Sequence, residues 1–429
     1  NRGRELMRQF KGVLMGLAVL LFTANSANAT LPRQSGLSQI DHIVIIVQEN
    51  RSFDNLFHGF PGAHSSSTGK LPNGKTTKLT PVSLAAPYDI SHGLQDAKTA
   101  YDSGKMDGFA DEYSNGQSGS DPYPQYKYVS KSEIAPYWDM ATQYVLSDRM
   151  FSQLDGSFVA HQFLIAGWAG QTYNHPADPP WGCDGPAGNV VGVLDAVGQP
   201  FGIETPCFTY STIADALDAK GVSWRYYSPE TGDGFLWNAF DAITKIRNGP
   251  DWKKNMSFPE TKILHDVANG QLADVTWVVP SNPLSDHPGS KSKRGPSWVA
   301  SVVNAIGKSK FWPSTAVFVL WDDWGGWYDD VRPKQHGFDG LGMRVPLICI
   351  SAFAKSGYVD HTPYQLASIL KLVEERFDLP ALGRSDARAT APLNCFDFHQ
   401  HARAFLPIPA RYDVDDVEAH ATNTAPDNQ

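Results

Sequence analysis

The sequence predicts an α/β fold, a three-layer α/β/α sandwich with a mostly parallel central sheet. Four continuous runs of apolar, largely β-branched residues are typical of strands that are buried on both faces. Helical patterns lie between these runs, and strands that alternate with helices form parallel sheets with helices on both faces. Polar residues that can bind metal ions follow directly after three of the runs. In such sheets ligands bind beyond the carboxyl ends of the strands, so these residues are expected to meet there.

The predicted elements follow in order along the chain. The strands are predicted at 40–47, 275–280, 316–321 and 346–351. The helices are predicted at 158–168, 211–220, 297–306 and 362–377. Two long stretches, 58–90 and 173–210, are rich in Gly, Pro and Ser and are predicted to be loops.

The two ends of the chain are not expected to belong to the fold. Basic residues at Arg8 and Lys11, an uncharged apolar run at 12–22 and small residues at 24–29 follow each other as in a secretory signal peptide. The apolar run is too short to span a bilayer, and the alternative is a buried helix. We predict a signal peptide at 1–29, with residues 1–6 upstream of the true start, a domain at 30–412, and a polar, disordered tail at 413–429. Such a protein would be secreted or periplasmic.

The composition excludes several classes of protein. The 429 residues are 41% hydrophobic, 12% aromatic and only 19% charged. A disordered chain would carry more charge and fewer aromatics, and a coiled coil would be poor in Gly and Pro. Loss of the signal peptide would remove four basic residues and one acidic residue, taking the net charge from −9 to −12. This charge disfavours nucleic acid as a partner, and no later segment is long and apolar enough to cross a membrane.

The four cysteines indicate a disulfide rather than a metal site. Cys183 and Cys207 lie in one loop-rich stretch and are the preferred pair in an exported protein. Cys349 lies in an apolar run and is expected to be a buried thiol. The four cysteines, of which Cys395 is the last, form no CxxC spacing, so a zinc-thiolate site is not expected.

Adjacent carboxylates at Asp322 and Asp323 follow a predicted strand and repel each other unless a cation lies between them. Glu49 and Asn50 offer a second pair of oxygen ligands from another strand end. Four oxygen ligands would form a divalent metal site, suited to Ca, Mg or Mn, with Zn left open by nearby histidines. The alternative is that the aspartates cap a turn at the glycines 325–326.

These residues belong to a set of motifs that resembles the bacterial phosphoesterase family, which contains secreted phospholipases C and acid phosphatases. The residues at 43–54 (IVIIVQENRSFD) are similar to its opening signature. Further similar segments occur in family order at 92–109, 286–288 (Asp-His-Pro), 321–331 (WDDWGGWYDDV), 342–351 and 360–362 (Asp-His-Thr). The resemblance covers roughly residues 38–400.

The resemblance implies an alkaline-phosphatase-like fold and metal-assisted hydrolysis of phosphate esters. By motif it makes Glu49, Asn50, Asp322 and Asp323 metal ligands, and it places His92, His287 and His361 around the phosphate as catalytic groups. A metal ion polarises a phosphoryl oxygen, and imidazoles donate hydrogen bonds or protonate a leaving group. Each histidine taken singly has a structural alternative as a hydrogen-bonding group.

Ser157 is predicted to be the nucleophile. The family carries a Thr or Ser after Gly-Pro shortly before a helix, whereas this chain lacks the proline and the spacing is shorter by about one residue. The alternative is that Ser157 is the N-cap of the helix at 158–168. His161 stands where family members usually carry Asn or another polar residue, and it is expected either to contact phosphate or to lie on the helix surface.

The tryptophans are candidates for a substrate cleft, although large aromatics are more often part of the core. Trp324 and Trp327 flank the aspartate pair, and one of them, with Trp324 preferred, is expected to form a wall of the active site. A cationic head group would favour such an aromatic site.

Three functional hypotheses follow. The first is an exported, metal-dependent phosphoesterase with a serine nucleophile, of the phospholipase C type, whose substrate is a phosphate ester such as a phospholipid head group. The second is an acid phosphatase that acts on soluble phosphomonoesters. The third is a non-catalytic binding protein on the same fold. A sulfatase is less consistent, because no cysteine lies in a Cys-x-Pro-x-Arg context.

Overall fold

The fold is described by a computed structural model for residues 36–116, 121–230, 233–336 and 340–421. The predicted signal peptide and the last residues of the predicted tail lie outside the described residues. The residues that are described belong to a single compact unit.

The strands of the described residues form a central sheet and four smaller sheets. They are β1 His42–Gln48, β2 Thr68–Lys70, β3 Thr76–Lys78, β4 Thr80–Val82, β5 Tyr88–Ile90, β6 Ser114–Gly116, β7 Lys127–Val129, β8 Val145–Gln153, β9 Thr172–Tyr173, β10 Val191–Leu194, β11 Pro200–Glu204, β12 Trp224–Tyr227, β13 Met256–Ser257, β14 Val275–Val278, β15 Thr315–Trp321, β16 Leu341–Ser351, β17 Tyr358–Asp360 and β18 Tyr364–Gln365.

The central sheet has nine strands in the described part of the chain, in the order β13-β12-β14-β1-β15-β16-β8-β17, with β18 also paired to β8. Neighbouring strands are parallel except at β16, which is antiparallel to both β15 and β8. The strands that flank β16 therefore run in the same direction, and their carboxyl ends lie along one edge. The predicted mostly parallel α/β class is confirmed.

The α-helices lie in two groups. They are α1 Phe53–Leu56, α2 Leu94–Tyr101, α3 Ala135–Gln143, α4 Ser157–Ala166, α5 Ile213–Lys220, α6 Thr244–Arg247, α7 Pro250–Asn255, α8 Lys262–Ala268, α9 Gly295–Gly307, α10 Ala367–Phe377 and α11 Val414–Ala419. Helices α3, α8 and α9 pack together, and α4 packs against α5 and α10. These two groups and the sheet make up the three layers. None of the helices in the described ranges meets the length and hydropathy needed to cross a membrane.

The predicted elements are found with small changes at their ends. All four predicted strands belong to the central sheet, as β1, β14, β15 and β16. The apolar side chains at 43–47 are completely buried, as expected for a strand covered on both faces. The stretches predicted to be loops contain short strands at 68–70, 76–78 and 191–194, which lie outside the central sheet.

The cysteines agree with the predicted pairing. Cys183 and Cys207 form a disulfide, and Cys349 and Cys395 are buried free thiols. The disulfide joins residues 24 positions apart, and a cross-link of that span stabilises a fold by about 3 kcal/mol in the chain-entropy model.

The prediction of a disordered tail from residue 413 is wrong for its first part. Asp413 accepts a hydrogen bond from the backbone of Asp416 and caps α11. Val417 is completely buried, α11 packs on α9, and Arg294 forms an ion pair with Asp416 at 2.7 Å. Disorder was predicted because the segment is mostly acidic and polar, and nothing in the sequence indicated that Val417 would be buried.

Candidate functional site

The candidate site begins where two neighbouring strands end. In the register of β1 and β15, Gln48 lies opposite Trp321, so the residues that follow each strand are placed side by side. The backbone N–H of Asn50 donates to Oδ1 of Asp322 at 2.9 Å. The acidic and amide side chains at the two strand ends, which are far apart in the sequence, thus form one cluster, as predicted.

The turn after β15 holds this arrangement through a glycine. A Cβ atom on Gly325 would lie 2.2 Å from the carbonyl oxygen of Asn50, and both residues have positive φ angles of about 60°. The backbone N–H of Gly325 donates to Oδ1 of Asp323 at 2.7 Å. Asp323 therefore does support the turn, as the alternative proposed. Asp322 instead holds Asn50, and its Oδ2 is buried without a hydrogen-bond partner among the described residues.

Ser157 lies at the start of α4, directly beyond β8. The N-cap position is occupied by Gly156, and no side chain caps the helix, so the predicted N-cap role of Ser157 is wrong. Its Oγ lies 3.2 Å from Oδ2 of Asp323 and 3.4 Å from Oδ1 of Asn50, both of which can accept its proton in a hydrogen bond. The hydroxyl therefore points into the cluster and not at the helix backbone.

His92 is held next to Asn50. Its Nδ1 lies 2.5 Å from the carbonyl oxygen of Ile90, so this nitrogen carries the proton and donates it. Its Nε2 then accepts from the side-chain amide of Asn50 at 2.7 Å, which turns the amide oxygen of Asn50 toward Ser157. The hydrogen bonds define a neutral imidazole next to the serine.

His287 follows a residue that is anchored by hydrogen bonds in the core. The buried carboxylate of Asp286 accepts hydrogen bonds from Tyr137 at 2.8 Å and from Trp321 at 3.0 Å. Burial raises the pKa of Asp286 to about 6, and Arg51 opposes the shift. Nδ1 of His287 lies 2.6 Å from a backbone carbonyl oxygen, and its ring centre lies 6.3 Å from that of His92.

His161 lies deeper in the cluster than expected. Its Nε2 lies 3.0 Å from Oε1 of Glu49 and 3.9 Å from Oδ2 of Asp322, and only 1% of the residue is exposed. The alternative that it lies on the helix surface is therefore wrong.

His361 is not brought to the cluster. Its side chain is 59% exposed, and its Nδ1 contacts the carboxylate of Asp148 at 2.9 Å. The reason is topological: β17, which precedes His361, pairs with the first half of β8, whereas Ser157 follows the end of β8.

Trp324 and Trp327 are both completely buried, as Ser157 is, and the expectation that one of them forms a wall of the active site stays a prediction. Trp324 packs edge-on against Phe109 in an apolar cluster, and Trp327 packs with Tyr88. Trp237 borders the site, because its ring stacks on that of His287 with the ring centres 5.9 Å apart. No local pattern around Trp237 distinguished it from the core tryptophans.

Asp155, two residues before Ser157, is a second residue to which the sequence assigned no role. Its carboxylate accepts from the backbone of Gly156 at 2.8 Å and of Asn174 at 3.0 Å, and burial raises its pKa to about 6. It fixes the turn between β8 and α4 from which Ser157 extends.

The donor atoms of the cluster fit a divalent metal ion. Glu49, Asn50, Asp322 and Asp323 are completely buried, and buried like charges need a neutralising partner. One donor atom from each of Glu49, His161 and Asp322 lies within 4.8 Å of the other two. Oδ2 of Asp322 accepts no hydrogen bond within the described residues, and such an ion would satisfy it. The described residues thus include buried acidic and histidine groups that can bind a metal ion.

The chain was compared with known proteins. The model of the phosphoesterase family matches residues 40–380. The chain is 24% identical to the non-hemolytic phospholipase C of Burkholderia pseudomallei, over 87% of this chain and 61% of the relative. It is 25% identical to the non-hemolytic phospholipase C of Pseudomonas aeruginosa, over 80% of this chain and 55% of the relative. The chain therefore spans somewhat more than half of the length of these two relatives.

Among solved structures, the chain is similar to a protein in the alkaline phosphatase superfamily from Vibrio parahaemolyticus. The identity is 11% and the TM-score is 0.39, over 83% of this chain and 72% of the other. A score at this level carries no weight for function. The family match covers most of the chain and includes both strand ends of the acidic cluster and Ser157. The chain therefore belongs to the phosphoesterase family.

Proposed function

We propose that this chain is a metal-dependent phosphoesterase that hydrolyses phosphate esters through Ser157, in the manner of a phospholipase C. The observation that carries the proposal is the contact of the Ser157 hydroxyl with Asp323 and Asn50, at 3.2 Å and 3.4 Å, inside a buried acidic cluster. Membership of the phosphoesterase family and the phospholipase C relatives support the reaction type.

The proposed metal ligands are Glu49, Asn50, Asp322 and Asp323. A bound divalent cation would polarise a phosphoryl oxygen and lower the pKa of a hydroxyl group next to it. The register of β1 with β15 supports this ligand set, because it brings the ends of the two strands side by side.

Ser157 supplies the attacking oxygen. A bond forms between its Oγ and phosphorus while the bond from phosphorus to the leaving oxygen breaks. Oδ2 of Asp323, which lies 3.2 Å away, orients the hydroxyl, and the hydroxyl proton passes to solvent water. Water then attacks the phosphoserine, returns the serine hydroxyl and releases the phosphate product. Ser157 is at the N-terminus of the ten-residue helix α4, whose first N–H groups favour phosphate oxygens.

His92 is proposed to position the serine through Asn50, and His287 is proposed to act on the leaving group. In neutral His92 the proton is on Nδ1, so the ring orients the Asn50 amide and through it the serine. His287, whose Nδ1 donates to a backbone carbonyl, is proposed to protonate the leaving oxygen: as an imidazolium it gives up its Nε2 proton, and it regains a proton from the water that attacks the phosphoserine. His361 contacts Asp148 on β8 and none of the described residues around Ser157, so it is not proposed to share this role.

The substrate is proposed to be a phosphodiester such as a phospholipid head group, because the relatives are phospholipases C. The site is enclosed: Ser157 and His92 are completely buried and His287 is 2% exposed, so substrate entry requires side chains around them to move. Trp237, stacked on His287, is the aromatic group placed to contact such a substrate.

We further propose export of the protein, supported by the signal-like residues 1–29 and by the disulfide between Cys183 and Cys207.

The test compares hydrolysis of phosphatidylcholine and of p-nitrophenyl phosphate by wild type and Ser157→Ala, with and without a chelator. We expect metal-sensitive hydrolysis, faster on phosphatidylcholine, and a loss of about 10³-fold or more in Ser157→Ala. Ser301→Ala is the matched control, because Ser301 is also a buried helical serine but bonds only within α9.

The outcomes separate the hypotheses. Faster hydrolysis of the monoester would favour the acid phosphatase. Absence of metal-sensitive hydrolysis of either compound would leave the non-catalytic binding protein. Full activity of Ser157→Ala would show that another group attacks phosphorus.

A further inference from the structure

We infer that His161 is a protein ligand of the metal ion, and that its nitrogen makes the site prefer zinc-type transition ions over Ca²⁺ and Mg²⁺. The inference rests on the metal site of the proposed function, and it extends the four oxygen ligands expected from the family motifs. It does not depend on which residue attacks phosphorus.

The distances around His161 fit a shared ion. Its Nε2 lies 3.0 Å from Oε1 of Glu49 and 3.9 Å from Oδ2 of Asp322. Ligand atoms that surround one tetrahedral ion at about 2.1 Å lie about 3.4 Å from each other. The two observed separations fall on either side of that value, so a small adjustment of side chains would place all three atoms around one centre.

A plain hydrogen bond to Glu49 does not account for the whole arrangement. Oδ2 of Asp322 is buried, lies too far from His161 for a hydrogen bond, and has no hydrogen-bond partner among the described residues. A buried carboxylate oxygen in that state is costly. An ion between the imidazole and the two carboxylates would satisfy it.

Helix α4 delivers the imidazole together with the serine. Ser157 and His161 are four residues apart and lie on the same face of the helix. The docking that brings Ser157 to Asn50 and Asp323 therefore also brings His161 to Glu49 and Asp322. The nucleophile and the nitrogen ligand are parts of one rigid element.

The nitrogen donor predicts which ion binds. Carboxylate and amide oxygens alone suit Ca²⁺, Mg²⁺ and Mn²⁺, whereas imidazole suits Zn²⁺ and related transition ions. His161 shifts a set of oxygen ligands toward the second group. Replacement of this one side chain is therefore expected to change the order of metal preference as well as the overall affinity.

The experiment measures metal binding directly on the metal-stripped full chain. Zn²⁺ and Ca²⁺ are titrated in turn by calorimetry, for wild type, His161→Asn and His161→Gln, with His42→Asn as the control. His42 is a half-buried histidine on β1 that bonds to the backbone of Ala273, outside the site. Circular dichroism verifies that each variant is folded before titration.

We expect wild type to bind Zn²⁺ at least 100-fold more tightly than Ca²⁺. In both His161 variants, the Zn²⁺ affinity should fall at least 30-fold while the Ca²⁺ affinity changes less than threefold, and His42→Asn should behave as wild type. X-ray absorption of the Zn²⁺ complex should show one imidazole fewer in His161→Asn.

Two results would overturn the inference. One is a Zn²⁺ affinity that stays within threefold of wild type in the folded His161 variants; the other is wild type that binds Ca²⁺ as tightly as Zn²⁺. Neither result touches the proposed hydrolysis. By contrast, a wild-type chain that binds no divalent ion would overturn the metal dependence of the proposed function itself.

Discussion

The completely buried guanidinium group of Arg344 neutralises a second acidic cluster, which is separate from the candidate site around Ser157. Its Nε bonds to Asp329 at 3.0 Å and its Nη2 to Asp54 at 3.2 Å. Burial raises the pKa of Asp54 well above its ordinary value and that of Asp329 to about 6. Asp54, Asp329 and Asp330 are close enough to hold an ion, but Arg344 already provides the positive charge. This cluster, although it includes residues of two family motifs, is therefore structural.

Arg344→Met is expected to lower the free energy of unfolding by about 3–5 kcal/mol, because it leaves Asp54 and Asp329 buried beside each other without a cation. Urea unfolding monitored by tryptophan fluorescence measures the change. Arg332→Met is the control, since this exposed side chain bonds to Tyr101 at the surface and should change stability by less than about 0.5 kcal/mol. A loss below 1 kcal/mol in Arg344→Met would contradict the structural role.

At the scale of the element, the turn after β15 is the part that sets the geometry of the candidate metal site. Gly325 combines a positive φ of 59° with a close approach to the carbonyl oxygen of Asn50. Any side chain at this position would push Asn50 and the carboxylates that follow β15 apart. The candidate metal ligands therefore require glycine here for two reasons, the lack of space for a Cβ atom and the positive φ angle.

Gly325→Ala is expected to weaken Zn²⁺ binding and phosphoester hydrolysis by at least 100-fold, because the new Cβ would lie 2.2 Å from Asn50 O. Gly221→Ala is the matched control: Gly221 ends α5 with φ of 71° but has open space around the position of a Cβ. That variant should lose about 1 kcal/mol of stability from backbone strain and keep metal binding. Equal effects of the two substitutions would mean that strain alone explains Gly325.

Prediction from the sequence succeeded where the signal was local. Continuous β-branched runs identify β1, β14, β15 and β16 because strands buried on both faces need apolar side chains at every position. The same pattern carries no direction, so the antiparallel course of β16 was not predicted. Strand β8 was missed because its sequence, VLSDRMFSQ, mixes buried polar and apolar residues.

For the candidate site, the strand ends predicted that the four oxygen-bearing side chains cluster, since parallel neighbours in register must bring those ends together. The contact of His161 with Glu49 depends on how α4 docks, and the position of His361 depends on which half of β8 pairs with β17. Such long-range packing leaves no trace in the spacing of the residues. The same holds for Trp324, whose burial is set by Phe109 from a distant loop.

At the scale of the whole molecule, buried carboxyl groups outside the candidate site make stability depend on pH. Burial raises the pKa of Asp241 to about 8 and that of Glu374 to about 7, and a neighbouring carboxylate adds to each shift. The folded chain then binds more protons than the unfolded chain between the ordinary pKa and the raised one. Stability is therefore fully present below the ordinary pKa values and falls as the pH rises through the folded values.

Glu374→Gln isolates one of these groups. Its carboxylate accepts from the backbone of Leu382 at 3.3 Å, a bond that the glutamine oxygen can keep. Relative to wild type, the variant should gain stability as the pH rises from 4.5, the ordinary pKa, to about 7. The gain should then level off at about 2 kcal/mol, because solvent screens part of the full shift, which corresponds to about 3 kcal/mol. The free energy of unfolding in urea, measured at intervals from pH 4 to pH 8 with a chelator present, gives the two curves.

Asp416→Asn serves as the control for Glu374→Gln, because the hydrogen bond from Arg294 lowers the pKa of Asp416. A lowered pKa contributes stability that is lost only as the pH falls below the ordinary value of 3.8, so the curve of this control should run parallel to that of wild type across the same range. Curves for Glu374→Gln and wild type that also run parallel would show that Glu374 ionises in the folded chain as it does in the unfolded one.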